Sequence, residues 1–473
     1  MLLAAADNIS MPTYNLLTWS GWGIIVVTLL MVIVPYWRGK SDLLTAWNFA
    51  LVGLAIFLGV AALEAVDPPK RIFEEKMSLD FPDDYYTATL VRNVFFLGCV
   101  LLFYYMFPLG KKFASRRFVN SPPWSPLAFG SMLAICGGVA VVSIVLSRGE
   151  AGFFNKSFLN LGQKAVTFGV VFAFYAWYRN RYSPISLVIL LAVLAVSTVY
   201  VMGVSHGRRL LLCVAFAPMA VAYWTNWRYK RPARVLLIGG VGLVCVLTVG
   251  LWYQTFRFFD RGKQAQERTF ANALQAARQV DVDAMVEQVG EWKWRLGQGA
   301  YIYSNVVKRL MDTGVLDEEP LYTLQYLVTY PIPRRYWEDK PFPLGARIVT
   351  DVLHLPYNTN WGLGVAGQAY YEGDWYALVA YAALLVIIVR LIDEPLKREP
   401  NNPYFIAALA SASLYVVAWP RGDLGVQTTE ILECFLFLVA MQVAGALLTG
   451  SKRGAYALDF GSVFASQRKY LSN

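Results

Sequence analysis

Residues 184–204 read PISLVILLAVLAVSTVYVMGV and carry no charged side chain. Residues 129–147, FGSMLAICGGVAVVSIVLS, repeat the pattern. A helix that crosses the hydrocarbon core of a bilayer needs about 20 mainly apolar residues. Each stretch meets that requirement by itself. Neither alternates apolar and polar residues as the strands of an outer-membrane barrel do. The rest of the chain follows suit: of 473 residues, 57% are hydrophobic and 16% are charged, whereas average soluble domains carry roughly 25% charge. This balance excludes an ordinary soluble enzyme and a disordered chain.

Reading outward from these two runs predicts an all-α polytopic membrane protein with about eleven transmembrane helices. They fall near 17–36, 43–64, 89–109, 127–147, 161–178, 184–204, 209–227, 235–255, 375–392, 404–420 and 429–449. Lys and Arg gather in alternate loops: Arg38 and Lys40; Lys111, Lys112, Arg116 and Arg117; Arg179 and Arg181; Arg228, Lys230, Arg231 and Arg234; Arg390, Lys397 and Arg398; and Lys452, Arg453, Arg468 and Lys469. Basic loops stay in the cytoplasm, so the N-terminus is expected outside and the C-terminus inside. The formal net charge of +10 is then mostly a topology signal, and no nucleic-acid partner is expected. Residues 1–255 hold helices one to eight, 256–374 a large outer loop, 375–449 helices nine to eleven, and 450–473 a cytoplasmic tail. The first fifteen residues have no Lys or Arg, so the first apolar run reads as a retained helix and not as a secretory signal. The five cysteines, Cys99, Cys136, Cys213, Cys245 and Cys434, sit in apolar runs without CxxC spacing, which suits packing rather than metal or disulfide chemistry.

The outer loop is long enough to be functional or separately folded. Its first part, 263–290, reads as an amphipathic helix, and Trp292, Lys293, Trp294 and Arg295 read as interfacial. From 331 onward Pro, Gly, Asn and aromatics predict irregular structure. No inverted repeat is visible, and the span centres read as almost free of charge, which argues against a secondary transporter.

No P-loop, HExxH, GxSxG or dinucleotide fingerprint occurs. The expected cytoplasmic loops are short and basic, with Asp393, Glu394 and Glu399 as their main acids. Candidate chemistry therefore lies on the outer side, in four clusters. Ser205-His206-Gly207-Arg208-Arg209 places two arginines at a helix start, where guanidinium forks and free backbone N–H groups suit a pyrophosphate. The second cluster, 330–345, holds Arg334, Arg335, Tyr336, Trp337, Glu338 and Asp339; its aromatic faces suit sugar rings and its carboxylates suit hydroxyls or proton transfer. The third runs from His354 through Asn358, Asn360 and Trp361 to Glu372 and Asp374. The fourth is Trp419-Pro420-Arg421-Gly422-Asp423. Each also has a plainer reading, as a turn, a solvated loop or a helix cap.

Together these features resemble the O-antigen polymerase (Wzy-type) family of oligosaccharide repeat-unit polymerases. The resemblance rests on a many-span chain with a large outer loop before the last helices, on the Gly-Arg-Arg turn at 207–209, on the Pro-Arg-rich stretch at 333–341, and on the 358–375 segment. Arg334 stands eleven positions before Gly345, the Arg–x10–Gly spacing of this family's large outer loops. At that spacing Arg148 meets Leu159, so the earlier outer loop holds no second copy.

The resemblance implies a metal-independent, GT-C-like membrane glycosyltransferase in the bacterial cytoplasmic (inner) membrane, with its site facing the periplasm and no cofactor. It implies undecaprenyl-pyrophosphate-linked oligosaccharides as donor and acceptor, membrane lipids as surroundings and a chain-length regulator protein as partner. Arg208, Arg209 and Arg334, then Arg335 and Arg421, would stabilise the pyrophosphate leaving group. His354, Glu338, Asp339 or Glu372 would be the base. Tyr336, Trp337, Asn358, Asn360 and Trp361 would bind glycan. An O-antigen ligase would use the same arginines with an essential histidine, and a flippase or transporter would need ionisable groups inside the spans.

Overall fold

The structure is a computed structural model that describes residues 9–66, 81–107, 110–111, 125–147, 152–201, 208–262, 297, 299–332, 336–337, 339–354 and 361–449. The amphipathic helix expected at 263–290, the tryptophans at 292 and 294 and the tail at 450–473 lie outside the described residues.

All eleven expected spans correspond to helices. They are α1 (Met11–Trp37), α2 (Ala46–Val66), α3 (Asp83–Met106), α4 (Pro126–Ser147), α5 (Gly152–Arg179), α6 (Pro184–Tyr200), α7 (Arg208–Thr225) and α8 (Pro232–Gly262), then, after the loop elements, α13 (Asp374–Arg398), α14 (Pro403–Ala418) and α15 (Leu424–Thr449). The loop supplies α9 (Ala300–Asp312), α10 (Tyr322–Thr329), α11 (Leu344–Arg347) with a π turn at Ile348–Val352, and α12 (Gly364–Glu372). No strand occurs among the described residues. Eight helices, α1–α4, α8 and α13–α15, have membrane-crossing length and apolarity, while α6 and α7 are apolar but shorter.

Why the chain breaks where it does is local. Pro184, Pro232 and Pro403 open α6, α8 and α14, because proline at a helix start forfeits no intrahelical bond. Ser183 and Asn402 cap α6 and α14 with their side chains. Helix α2 relaxes into a π turn at Ala55–Val60. There Gly59 lies so close to α1 that a Cβ would come within 2.7 Å of Ile25 Cγ1.

The core forms around α14, where Ala407, Leu409, Ala410 and Val416 have no exposed surface. Helices α2, α5, α7, α13 and α15 pack against it. On the periphery, α8 leaves Leu237, Val241 and Val244 more than half exposed, and α15 does the same with Leu436 and Leu447. Apolar faces of that extent are at home in lipid, not water.

The two ends of the bundle are pinned separately. At one end, Asp393 accepts the backbone N–H groups of Ala46 (2.7 Å) and Trp47 (3.0 Å), capping α2 from another helix. There too Arg228 pairs with Asp42 at 3.1 Å and Tyr175 donates to the Asn401 carbonyl at 2.8 Å. At the other end, where the loop elements sit, Glu64 accepts the N–H groups of Gly297 (2.6 Å) and Gly299 (3.3 Å). Arg92 grips Asp374 bidentately at 2.6 and 2.7 Å, and its guanidinium lies over the rings of Tyr370 and Trp375. The loop after 331 departs from the irregular structure expected of it. Glycines that read as flexibility are close-packing positions: a Cβ at Gly364 or Gly367 would lie 2.6 or 2.8 Å from atoms of Ser304 on α9, so α12 forms against α9.

Candidate active site

A polar face runs down α15. Asp423, Gln427, Glu430 and Glu433 follow at spacings of four, three and three, which sets them on one side of an otherwise apolar helix. Helix α5 answers with Asn160, Gln163 and Lys164. Lys164 lies twelve residues into α5, about 18 Å from its start at 1.5 Å per residue, and only 1% of its side chain is exposed. Its Nζ is 2.5 Å from Glu430 Oε2 and 4.1 Å from the centroid of the Tyr415 ring. Arg209, in the first turn of α7, lies over the same ring at 5.8 Å and donates from Nη1 to Gln427 Oε1 at 3.1 Å. Tyr415 donates to Gln163 Oε1 at 3.3 Å. Four helices thus gather two cations and the carboxylate of Glu430 around one aromatic ring.

The loop between α8 and α13 roofs this cluster. Tyr330, just past α10, donates to Glu433 Oε1 at 2.8 Å, and Asn160 Nδ2 donates to the same oxygen at 3.3 Å. Glu433 Oε2 is buried and has no hydrogen-bond partner among the described residues. Lys340 ties the roof shut, donating from Nζ to the carbonyls of Tyr330 (2.7 Å) and Ile332 (2.9 Å). Tyr326 packs so closely on α15 that a Cβ at Gly425 would lie 2.6 Å from its ring. Burial pushes the Tyr326 and Tyr330 hydroxyls above the ordinary phenol value, and for Tyr330 the charge of Glu433 adds to it. Both rings therefore stay protonated as donors. Ionisable groups inside membrane helices are costly, face the bundle interior and mark functional pathways.

Of the arginines expected at a pyrophosphate, Arg209 joins this cluster. The side chain of Arg208 lies outside the described residues, as do Arg334, Arg335, Glu338, Asn358 and Asn360. Arg421 sits in a 3-10 turn against Gly362, where a Cβ would lie 2.5 Å from Arg421 Cγ.

The expected bases stand apart. Glu372 is 6% exposed. It accepts the Thr323 N–H (2.8 Å) and hydroxyl (2.5 Å) and Gln368 Nε2 (2.9 Å), capping α10 from α12. Asp339 is exposed, and so is His354, whose φ of 49° closes the π turn. Among the described residues no hydrogen bond or ion pair is seen between these three and the α5–α15 cluster. Tyr336 is 70% exposed and Trp337 half-buried, while Trp361 stacks on Tyr303 at 4.3 Å.

The span centres are not as free of charge as the sequence reading held. Spans that begin at 161 and 429 leave Lys164, Glu430 and Glu433 within five residues of a span start, but α5 starts at Gly152 and α15 at Leu424. The signal was present: two glutamates three apart share a helix face, and a lone lysine interrupts an apolar run. The chain matches no protein-family model, no curated protein and no solved structure.

Proposed function

We propose that the chain is a membrane glycosyltransferase that polymerises undecaprenyl-pyrophosphate-linked oligosaccharide repeat units into a surface polysaccharide at the outer face of the bacterial cytoplasmic membrane. The observation that carries this reading is the α5–α7–α14–α15 cluster under the roof of Tyr326, Tyr330 and Lys340, at the end of the bundle opposite the basic loops. In this reading the eleven helices all cross, the N-terminus lies outside and the architecture is GT-C-like.

Chemistry at the outer face has no nucleotide sugar, so the donor arrives already activated by its pyrophosphate. Charge grows on that leaving group in the transition state, and preplaced cations stabilise it. Arg209 supplies one cation at the cluster, and Arg334 above all, with Arg208, Arg335 and Arg421, supplies others. The acceptor hydroxyl attacks the anomeric carbon, and the growing chain moves onto the acceptor as undecaprenyl pyrophosphate departs. Glu372, with both oxygens committed to Thr323 and Gln368, takes a structural role.

Deletion of the gene followed by glycan analysis tests the reading. The expected result is loss of long chains with single repeat units still transferred to their final acceptor. Loss of all transfer would instead identify a ligase. A second reading, a lipid-linked glycan transporter, is favoured by one observation, the Lys164–Glu430 pair within the helices. It predicts intermediates stranded at the cytoplasmic face.

A further inference from the structure

We infer that Glu433 takes the proton from the attacking acceptor hydroxyl, an assignment that rests on the glycosyltransferase reading above. Other buried carboxylates are engaged: Glu64 by Gly297 and Gly299, Asp393 by Ala46 and Trp47, and Glu372 by Thr323 and Gln368, and Asp423 is not free either. Glu430 is engaged by Lys164.

Glu433 differs. Its Oε1 is fixed from two elements, by Tyr330 of the roof and Asn160 of α5. That leaves Oε2 oriented, buried and, among the described residues, without a donor. No ion pair to Glu433 occurs among the described residues, since Lys164 is turned to Glu430. A buried carboxylate oxygen without a donor is expensive, and an acceptor hydroxyl supplies the missing donor.

The step balances as follows. The hydroxyl oxygen forms a bond to the anomeric carbon while the bond from that carbon to the phosphate oxygen breaks. The bonding pair leaves with undecaprenyl pyrophosphate. The hydroxyl proton passes to Glu433 Oε2 and is later lost to water. A general base of this kind contributes about 100- to 10,000-fold.

The test uses the full chain in liposomes, supplied with lipid-pyrophosphate-linked repeat units extracted from a strain that lacks it. Glu433→Gln keeps the size of the side chain and an oxygen for Tyr330. Its expected effect is a fall in kcat of at least about 100-fold, with KM within about twofold. Wild-type kcat in Glu433→Gln overturns the assignment of the base while leaving the polymerase reading standing. If wild-type protein itself extends no chains, the functional reading falls and the base falls with it. Should Glu433→Gln fail to accumulate in membranes, Glu433→Asp decides. A fall in kcat of about tenfold or more at unchanged KM supports the assignment, and wild-type kcat overturns it.

Discussion

Glu372 and Gly422 carry the account at the scale of single residues. Glu372 looks catalytic in the sequence because it is an acid in an aromatic, glycine-rich outer segment. Its partner, Thr323, lies far from it in the chain, so nothing local announces a helix cap. Glu372→Ala strands the N–H and hydroxyl of Thr323, which should cost about 1–3 kcal/mol; thermal unfolding in detergent measures it. The pH dependence has a definite sign. Burial raises the Glu372 carboxyl above its ordinary value, so its contribution to stability is full below that ordinary value and is lost as pH rises through the raised one. Wild type should therefore lose melting temperature over that window relative to Glu372→Gln; parallel curves would contradict the burial-raised carboxyl. Gly422 has φ of 93°, and a Cβ there would lie 2.4 Å from Gly364 N. Gly422→Ala should destabilise by more than about 1 kcal/mol, whereas Gly239→Ala, with open space around it, should not.

Among the elements, α5 and α15 bear most of the functional weight. Their existence is legible from apolar length alone, and so is that of the other nine long helices. What the sequence hides is how far each extends and which faces meet. Lys164 and Glu430 stand 266 positions apart, and only tertiary packing pairs them. The helices of the loop were hidden for a related reason: α12 owes its place to glycines closing on Ser304, and glycine in sequence signals a turn as readily as a contact. Removing one partner of a buried ion pair typically costs about 3–5 kcal/mol, while replacing both is far milder. Lys164→Met should accordingly destabilise much more than Lys164→Met combined with Glu430→Gln. A double-mutant cycle from unfolding in detergent reads the coupling, and strictly additive effects would show that the pair contributes nothing as a pair.

At the scale of the molecule, the charge scarcity that reveals a membrane protein also sorts its ends. Basic residues such as Arg179, Arg228 and Lys230 lie at the end pinned by Asp42 and Asp393, and the polar cluster lies towards the other. If the first end is cytoplasmic, cysteine labelling must divide accordingly. In a cysteine-free background, Tyr376→Cys should react with an impermeant maleimide added outside intact cells. Tyr182→Cys should react only after permeabilisation. Both native side chains are highly exposed, at 88% and 99%. The reverse pattern would put the cluster on the cytoplasmic side and remove the basis for chemistry without nucleotide sugars.

The central claim is that this chain by itself lengthens a lipid-linked glycan, using cations held at the α5–α15 cluster. The most direct measurement is reconstitution of the purified chain in liposomes with lipid-pyrophosphate-linked repeat units and no nucleotide, followed by electrophoresis of the glycan. The account predicts a ladder of increasing length with wild type and none with Arg209→Ala at equal protein incorporation. No ladder from wild type, or an undiminished ladder from Arg209→Ala, would contradict it.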